Sequence, residues 1–218
     1  MGQLEKDPVH IARVQEMERQ RKMAIEENLR ELAPLYKELA DAGYKVNSLS
    51  ELVTLFPCKE VIPILLKWLP TLQRRDTKES VVRALSVPWA KPIAAKPLIA
   101  EFLKAPESEM LGLKWAIGNA LEVLADDSFF EDIRELVLDR RHGRSREMLV
   151  LALGKMKNPK AADLLIDLLG DDEVAVNAIM ALRKLNAKKA LPFIERFANH
   201  PKAWIRQEAK KAIIKLQK

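Results

Sequence analysis

The sequence predicts an all-α chain, a right-handed solenoid of about five helical hairpins behind an N-terminal helical cap. Three observations carry this. Short apolar stripes of helical period recur about every 30 residues along the last three quarters of the chain. A second set of segments, each centred on an alanine, falls between them. Glycine is scarce, 7 in 218 residues, and no alternating apolar pattern competes, which argues against a turn-rich β fold and against a glycine-loop nucleotide site.

The first set is anchored at Leu65, Ile99, Ile133, Leu165 and Ile194, spaced 34, 34, 32 and 29 residues. Three residues on stand Trp68, Phe102, Leu136, Leu168 and Phe197; four residues on stand Leu69, Leu103, Val137, Leu169 and Ala198. An i, i+3, i+4 set is one buried stripe of a helix. These are the A helices. Pro63, Pro97 and Pro192 each stand two residues before an anchor, in a first turn where no intrahelical N–H bond is due. The second set is anchored at Ala84, Ala120, Ala152, Ala181 and Ala212, spaced 36, 32, 29 and 31 residues. One small residue at the same place in every unit predicts a tight crossing between these B helices. Thr77 and Ser145 stand just before B helices, where an N-cap belongs.

A hairpin of this size cannot bury its apolar face alone, but stacked neighbours can. With these residues in view, Cys58–Lys218 resembles the HEAT-repeat family, in particular its short bacterial HEAT-like type. Tetratricopeptide and ankyrin signatures do not occur. HEAT-like repeats often carry a basic residue that pairs with an acid of the neighbouring turn. Six residues before each alanine stand Lys78, Lys114, Arg146, Ala175 and Arg206, so the resemblance implies a ladder interrupted in the fourth unit.

The N-terminal third differs. Asp7-Pro8 reads as an N-cap with proline at N1, and Ile25, Leu29, Leu32, Tyr36 and Leu39 set a helix over about 8–41, with Pro34 as a kink. Gly43 ends it, and Ser48-Leu49-Ser50-Glu51 is a capping box opening a short helix to Phe56. The chain divides into a charged, partly projecting helix start (1–23), a helical cap (24–56) and the repeat solenoid (57–218). The projecting start has three places to go: solvent, a partner, or a second copy of the chain.

On a helical wheel, the residues five and one before each alanine, and two after it, point away from the core. In a HEAT-like solenoid the B helices line the concave side. Trp115, Leu151, Val176 and Met180 occupy such positions, where a face seen only by water would be polar. Asn119 lies among them, and Glu79, Arg83, Glu147, Arg183 and Lys211 form a rim. One reading is a groove with an apolar floor that holds a peptide or helix of a protein partner. The other is that curvature, or the N-terminal segment folded across, buries these residues. Gly118-Asn119 is open in the same way, between groove lining and close packing.

The formal charge is +6, and Arg183–Lys218 holds eleven Lys and Arg against Glu195 and Glu208. Arg140, Arg141 and Arg144 crowd the turn of the third unit. Arginine forks suit phosphates. Yet the same turn carries Glu107 and Glu109 in the second unit and Asp171-Asp172-Glu173 in the fourth, so the sign alternates along that edge. That alternation disfavours a nucleic-acid track, and ion pairing of the arginines with Asp139 and Glu147 is the competing reading. Some HEAT-like proteins are alkylpurine DNA glycosylases, and Trp115 with Glu79 or Glu147 is the set such a resemblance singles out. Others attach bilin pigments, to which nothing here points.

No catalytic residue, metal site, cofactor or small-molecule ligand is implied. His10, His142 and His200 are scattered, and no P-loop, Gly-x-Gly-x-x-Gly, Gly-x-Ser-x-Gly or His-Glu-x-x-His occurs. Cys58, the single cysteine, reads as a small core residue, and Trp68, Trp89 and Trp204 as fillers of cavities between repeats. With no apolar run long enough to span a bilayer, no membrane association is expected. The lone thiol and the charged start, Glu5-Lys6-Asp7, point to the cytoplasm. The expectation is a non-enzymatic scaffold.

Overall fold

Helix 1 (α1, Pro8–Asp41) and a single turn (α2, Glu51–Thr54) precede five hairpins in the computed structural model, which describes residues 8–54, 58–106 and 112–218. The A helices are α3 (Val61–Trp68), α5 (Ala95–Lys104), α7 (Phe130–Leu138), α9 (Lys160–Asp167) and α11 (Leu191–Glu195). The B helices are α4 (Arg75–Leu85), α6 (Leu113–Leu124), α8 (Glu147–Leu153), α10 (Ala175–Leu185) and α12 (Ala203–Leu216). No strand occurs among the described residues. The fold is the all-α solenoid that the spacing predicts. The end of the expected short helix, Leu55 and Phe56, and the expected N-cap Asp7 lie outside the described residues.

Consecutive B helices lie side by side, α4 on α6, α6 on α8, α8 on α10 and α10 on α12. The five alanine anchors are buried at these crossings. Successive A helices are held less closely to each other than the B helices are. A stack that is tight along one row of helices and wider along the other bends towards the tight row, so the B helices line the concave side. Two glycines let the crossings close. A Cβ on Gly154 would stand 2.8 Å from Ala181 Cα, and one on Gly118 would stand 3.1 Å from Met148 Cβ. Gly118 therefore serves close packing, and Gly154, which the wheel aims into the groove, is buried against α10 instead.

The A stripes are buried, with Trp68 and Ala198 partly covered, except in the second unit. Leu103 is 60% exposed, because the inward face there runs Leu98, Glu101, Phe102 and Ala105, one residue earlier than the Ile99 anchor sets it. The shift places a carboxylate, Glu101, on the packed side.

The ladder of basic residues is present and links neighbours. Lys78 Nζ lies 2.7 Å from Glu101 Oε2, and Lys104 approaches the other oxygen at 3.2 Å. Burial alone would raise the Glu101 carboxyl, but these bonds outweigh it and hold it below the usual range. Lys114 Nζ is 3.1 Å from His142 Nδ1 and 5.2 Å from the centre of the Phe102 ring. Arg146, fully buried, reaches Asp171 at 2.7 Å, Glu173 at 2.6 Å and the Val137 carbonyl at 3.2 Å. Ala175 breaks the series. Arg206 turns back to the carbonyls of His200 and Pro201 within its own hairpin.

The cap is built differently from the sequence expectation. Thr77 lies inside α4 and does not cap it; its hydroxyl packs between the Arg74 carbonyl and the Glu31 carboxylate. Glu31, on α1, accepts from the backbone N–H of Gln73 at 2.6 Å and of Arg74 at 3.3 Å, so one helix caps another from outside. Ser145 likewise does not cap α8, which begins at Glu147 after a tight turn. Glu38 binds Lys67 and the Trp68 indole N–H, each at 2.7 Å. Leu32, Leu35 and Leu39 supply the apolar contact, while Ile25 and Leu29, expected in the stripe, are exposed. Helix 1 thus docks by its C-terminal part only, and Pro34 sits on its exposed side.

Candidate functional site

The concave row of B helices opens into two adjoining hollows near its C-terminal end. The first, about 600 Å³, is lined by Glu122 of α6, Leu151 of α8, Met180, Ala181, Arg183 and Lys184 of α10, and Lys211 and Lys215 of α12. The second, about 310 Å³, is lined by Arg144, Glu147, Val176, Asn177, Met180, Trp204, Gln207 and Glu208. Met180 belongs to both and forms the ridge between them.

Four of the expected groove residues, Leu151, Met180, Arg183 and Lys211, meet in the first hollow. Leu151 and Met180 keep part of their surface open, as the wheel expects of a floor. Glu147 and Val176 meet Met180 in the second hollow, but Val176 is only 6% exposed, more covered than the wheel expects. Trp115, Asn119, Glu79 and Arg83 line neither hollow. Trp115 is half-buried on α6, and its carbonyl takes a bond from the Asn119 side chain at 3.1 Å. Glu79 is held between Arg75 at 2.6 Å and Arg83 at 3.7 Å on its own helix.

Sequence reasoning missed Lys184 and Lys215. A signal for them exists: three residues after the alanine anchors stand Lys155, Lys184 and Lys215, one lysine in each of the last three units. The wheel passes over this position as flanking, yet a lysine stem is long enough to swing to the open side. Lys155 is consumed by Glu122, at 2.6 Å from its carboxylate and 2.9 Å from its carbonyl. Trp204, expected between repeats, is instead 53% exposed on the edge of the second hollow, because it occupies the free first turn of α12.

The charge balance of the first hollow is positive. Glu208 offsets part of it, with Oε1 2.6 Å from Lys211 and Oε2 3.3 Å from Arg183. Its Oε2 is buried yet makes no hydrogen bond. Lys184 and Lys215 have no ion-pair partner among the described residues. The turn arginines are the opposite case. Arg141 pairs with Asp139 at 2.7 Å, Arg144 with Glu147 at 2.7 Å and Arg140 with Asp171 at 3.5 Å. Burial would raise the Asp171 carboxyl, but the Arg146 bond, the Glu173 N–H and the nearby Arg140 charge hold it low.

The chemistry of a reaction centre is not assembled by these residues. Glu79 and Glu147, the carboxylates an alkylpurine glycosylase resemblance singles out, are both tied to arginines. Cys58 is buried, and burial pushes its thiol up, away from a reactive thiolate; Glu60 adds to the shift. Among the described residues no group of His, Cys, Asp and Glu has metal-site geometry. No helix is long and apolar enough to cross a membrane, again among the described residues.

Helical hairpins stacked in one row, tight on the B side and joined by a buried basic ladder, define an α-solenoid. Within it, residues 145–171, from the turn before α8 through α9 to Asp171, match the family model of the PBS lyase HEAT-like repeat, so that stretch is similar to a HEAT-like repeat. The fold is also similar to a solved designed armadillo repeat protein, YIII(Dq)4CqI, with 15% identity and a TM-score of 0.50 over 87% of this chain and 98% of that one. That likeness is one of solenoid architecture. No curated protein matches the chain.

Proposed function

We propose that the chain is a non-enzymatic scaffold that holds an acidic segment of another protein against the concave hollow of α8, α10 and α12. The observation that supports this reading most is the pairing of an open apolar ridge, Leu151 and Met180, with the lysines Lys184, Lys211 and Lys215 around it. A short peptide or helix with one or two large apolar side chains and flanking carboxylates fits both features. Methionine adapts to the shape of an anchor, and lysines at the edge steer an acidic ligand. The solenoid shape supplies the long concave surface such scaffolds use.

Nucleic acid is the rival ligand, because the same lysines attract phosphate. The alternation of charge at the turns, and the ion pairs that occupy Arg140, Arg141 and Arg144, weigh against it.

The test is selection of peptides from a random library on the wild-type protein, followed by titration of the winners and of single- and double-stranded oligonucleotides across a salt series. Acidic peptides with apolar anchors should be enriched, lose binding about tenfold or more on Met180→Glu, and keep much of it in moderate salt. Enrichment of basic or uncharged sequences, or oligonucleotide binding with a steep salt slope and no peptide binding, would overturn the proposal.

A further inference from the structure

Helix 1 carries one continuous seam, and the solenoid covers only part of it. Positions alternately three and four apart read Ile11, Val14, Glu18, Arg21, Ile25, Asn28, Leu32, Leu35 and Leu39. This is the spacing of a two-helix interface. Leu32, Leu35 and Leu39 are buried against the first hairpin, and Asn28 accepts from Arg74 Nε at 2.6 Å. Further towards the N-terminus the same line runs clear of the hairpins, with Ile11 41%, Val14 38% and Ile25 48% exposed. The helix start of about 19 residues is about 28 Å long, and besides the seam it exposes Val9, Met17 and Met23, so it presents a run of open apolar surface of the kind that marks an interaction site.

The two charged residues on the seam say which partner. Glu18 and Arg21 are both exposed, and neither has an ion-pair partner among the described residues. We infer that α1 pairs with the α1 of a second copy of this chain, antiparallel, with Val14 of each opposite Ile25 of the other. In that one register Glu18 faces the second copy's Arg21, and Arg21 faces its Glu18, so two ion pairs form at the centre with apolar pairs on either side. A parallel pairing would set Glu18 on Glu18 and Arg21 on Arg21, which repels twice. The antiparallel register also puts Ile11 against the second copy's Asn28, at the point where the solenoid takes over the seam. The dimer would point two solenoids in opposite directions. The inference does not depend on the proposed ligand groove, whose residues all lie on other helices.

Sedimentation equilibrium over a concentration series tests it. The wild type should self-associate from its monomer mass of 24.8 kDa towards a dimer. Glu18→Arg and Arg21→Glu should each weaken association about tenfold or more, and an equimolar mixture of the two should restore it. Under oxidising conditions, Val14→Cys mixed with Ile25→Cys should give a disulfide-linked pair, whereas Val14→Cys alone should not. Cys58 is buried and does not compete. At dilutions where the wild type is monomeric, Glu18→Arg and Arg21→Glu should melt with the wild type, since both side chains are exposed. A mass that stays monomeric, association indifferent to Glu18→Arg, or self-linking of Val14→Cys would each overturn the inference.

Discussion

Two regions of this molecule look equally basic in the sequence and behave as opposites in space. At the turn of the third hairpin, Arg140, Arg141, Arg144 and Arg146 are each held by a carboxylate or, for Arg146, by two. At the concave end of α10 and α12, Lys184 and Lys215 stand open beside an apolar ridge. The first region neutralises its charge within the turn and across to the next repeat, and the second leaves these two lysines unpaired among the described residues. A count of basic residues does not separate these cases. The position of the nearest acid does.

The comparison can be broken from its structural side. The largest effect is expected from Arg146→Ala, which leaves Asp171 covered and without its main partner. Such a loss costs about 3–5 kcal/mol, and Tm should fall by about 10 °C or more with peptide binding at low temperature intact. Next comes Gly154→Ala, which forces α8 away from α10 because the new Cβ meets the Ala181 backbone. Overpacking of this kind costs about 1–3 kcal/mol, and here it also changes the curvature beneath the hollow, so binding should weaken too.

Acid probes the ladder as a whole. The Glu101 and Asp171 carboxyls are held below their ordinary values in the folded chain. Their contribution is therefore full above about pH 4 and is lost as pH falls through the folded values. Thermal melts should show stability dropping below about pH 4, and Arg146→Ala should flatten that dependence. The smallest effect is expected from Arg141→Ala. That guanidinium is exposed, and Tm should not change measurably. A large drop there, or a loss of peptide binding, would erase the distinction between the two regions.

Most of the architecture was legible because repeats report themselves. The A and B anchors recur, and alanine at one place in five units has no reading other than a close crossing. What the sequence concealed has physical causes. The inward face of α5 begins one residue early, because Glu101 is neutralised by Lys78 and can sit inside, a pairing between separate helices. Thr77 looks like a cap, but the cap is Glu31, more than 40 residues earlier in the chain. Trp204 looks like a filler, yet the first turn of α12 leaves it uncovered. Of the residues around the first hollow, helical geometry alone singles out Leu151, Met180, Arg183 and Lys211. Trp115 could not, because the wheel gives direction around one helix and not how far along the row the open space extends. Lys184 and Lys215 needed the length of a lysine stem added to the wheel.

The missing rung at Ala175 has a mechanical consequence. The first four hairpins are bolted to one another through Lys78, Lys114 and Arg146, whereas the fifth is attached by apolar contact and by bonds nearer the surface, such as Arg183 to Glu208 and Arg196 to the Leu169 carbonyl. The hollow straddles that joint. Its far wall, α12, therefore rests on apolar packing and on these outer bonds alone, with no buried ion pair behind it among the described residues.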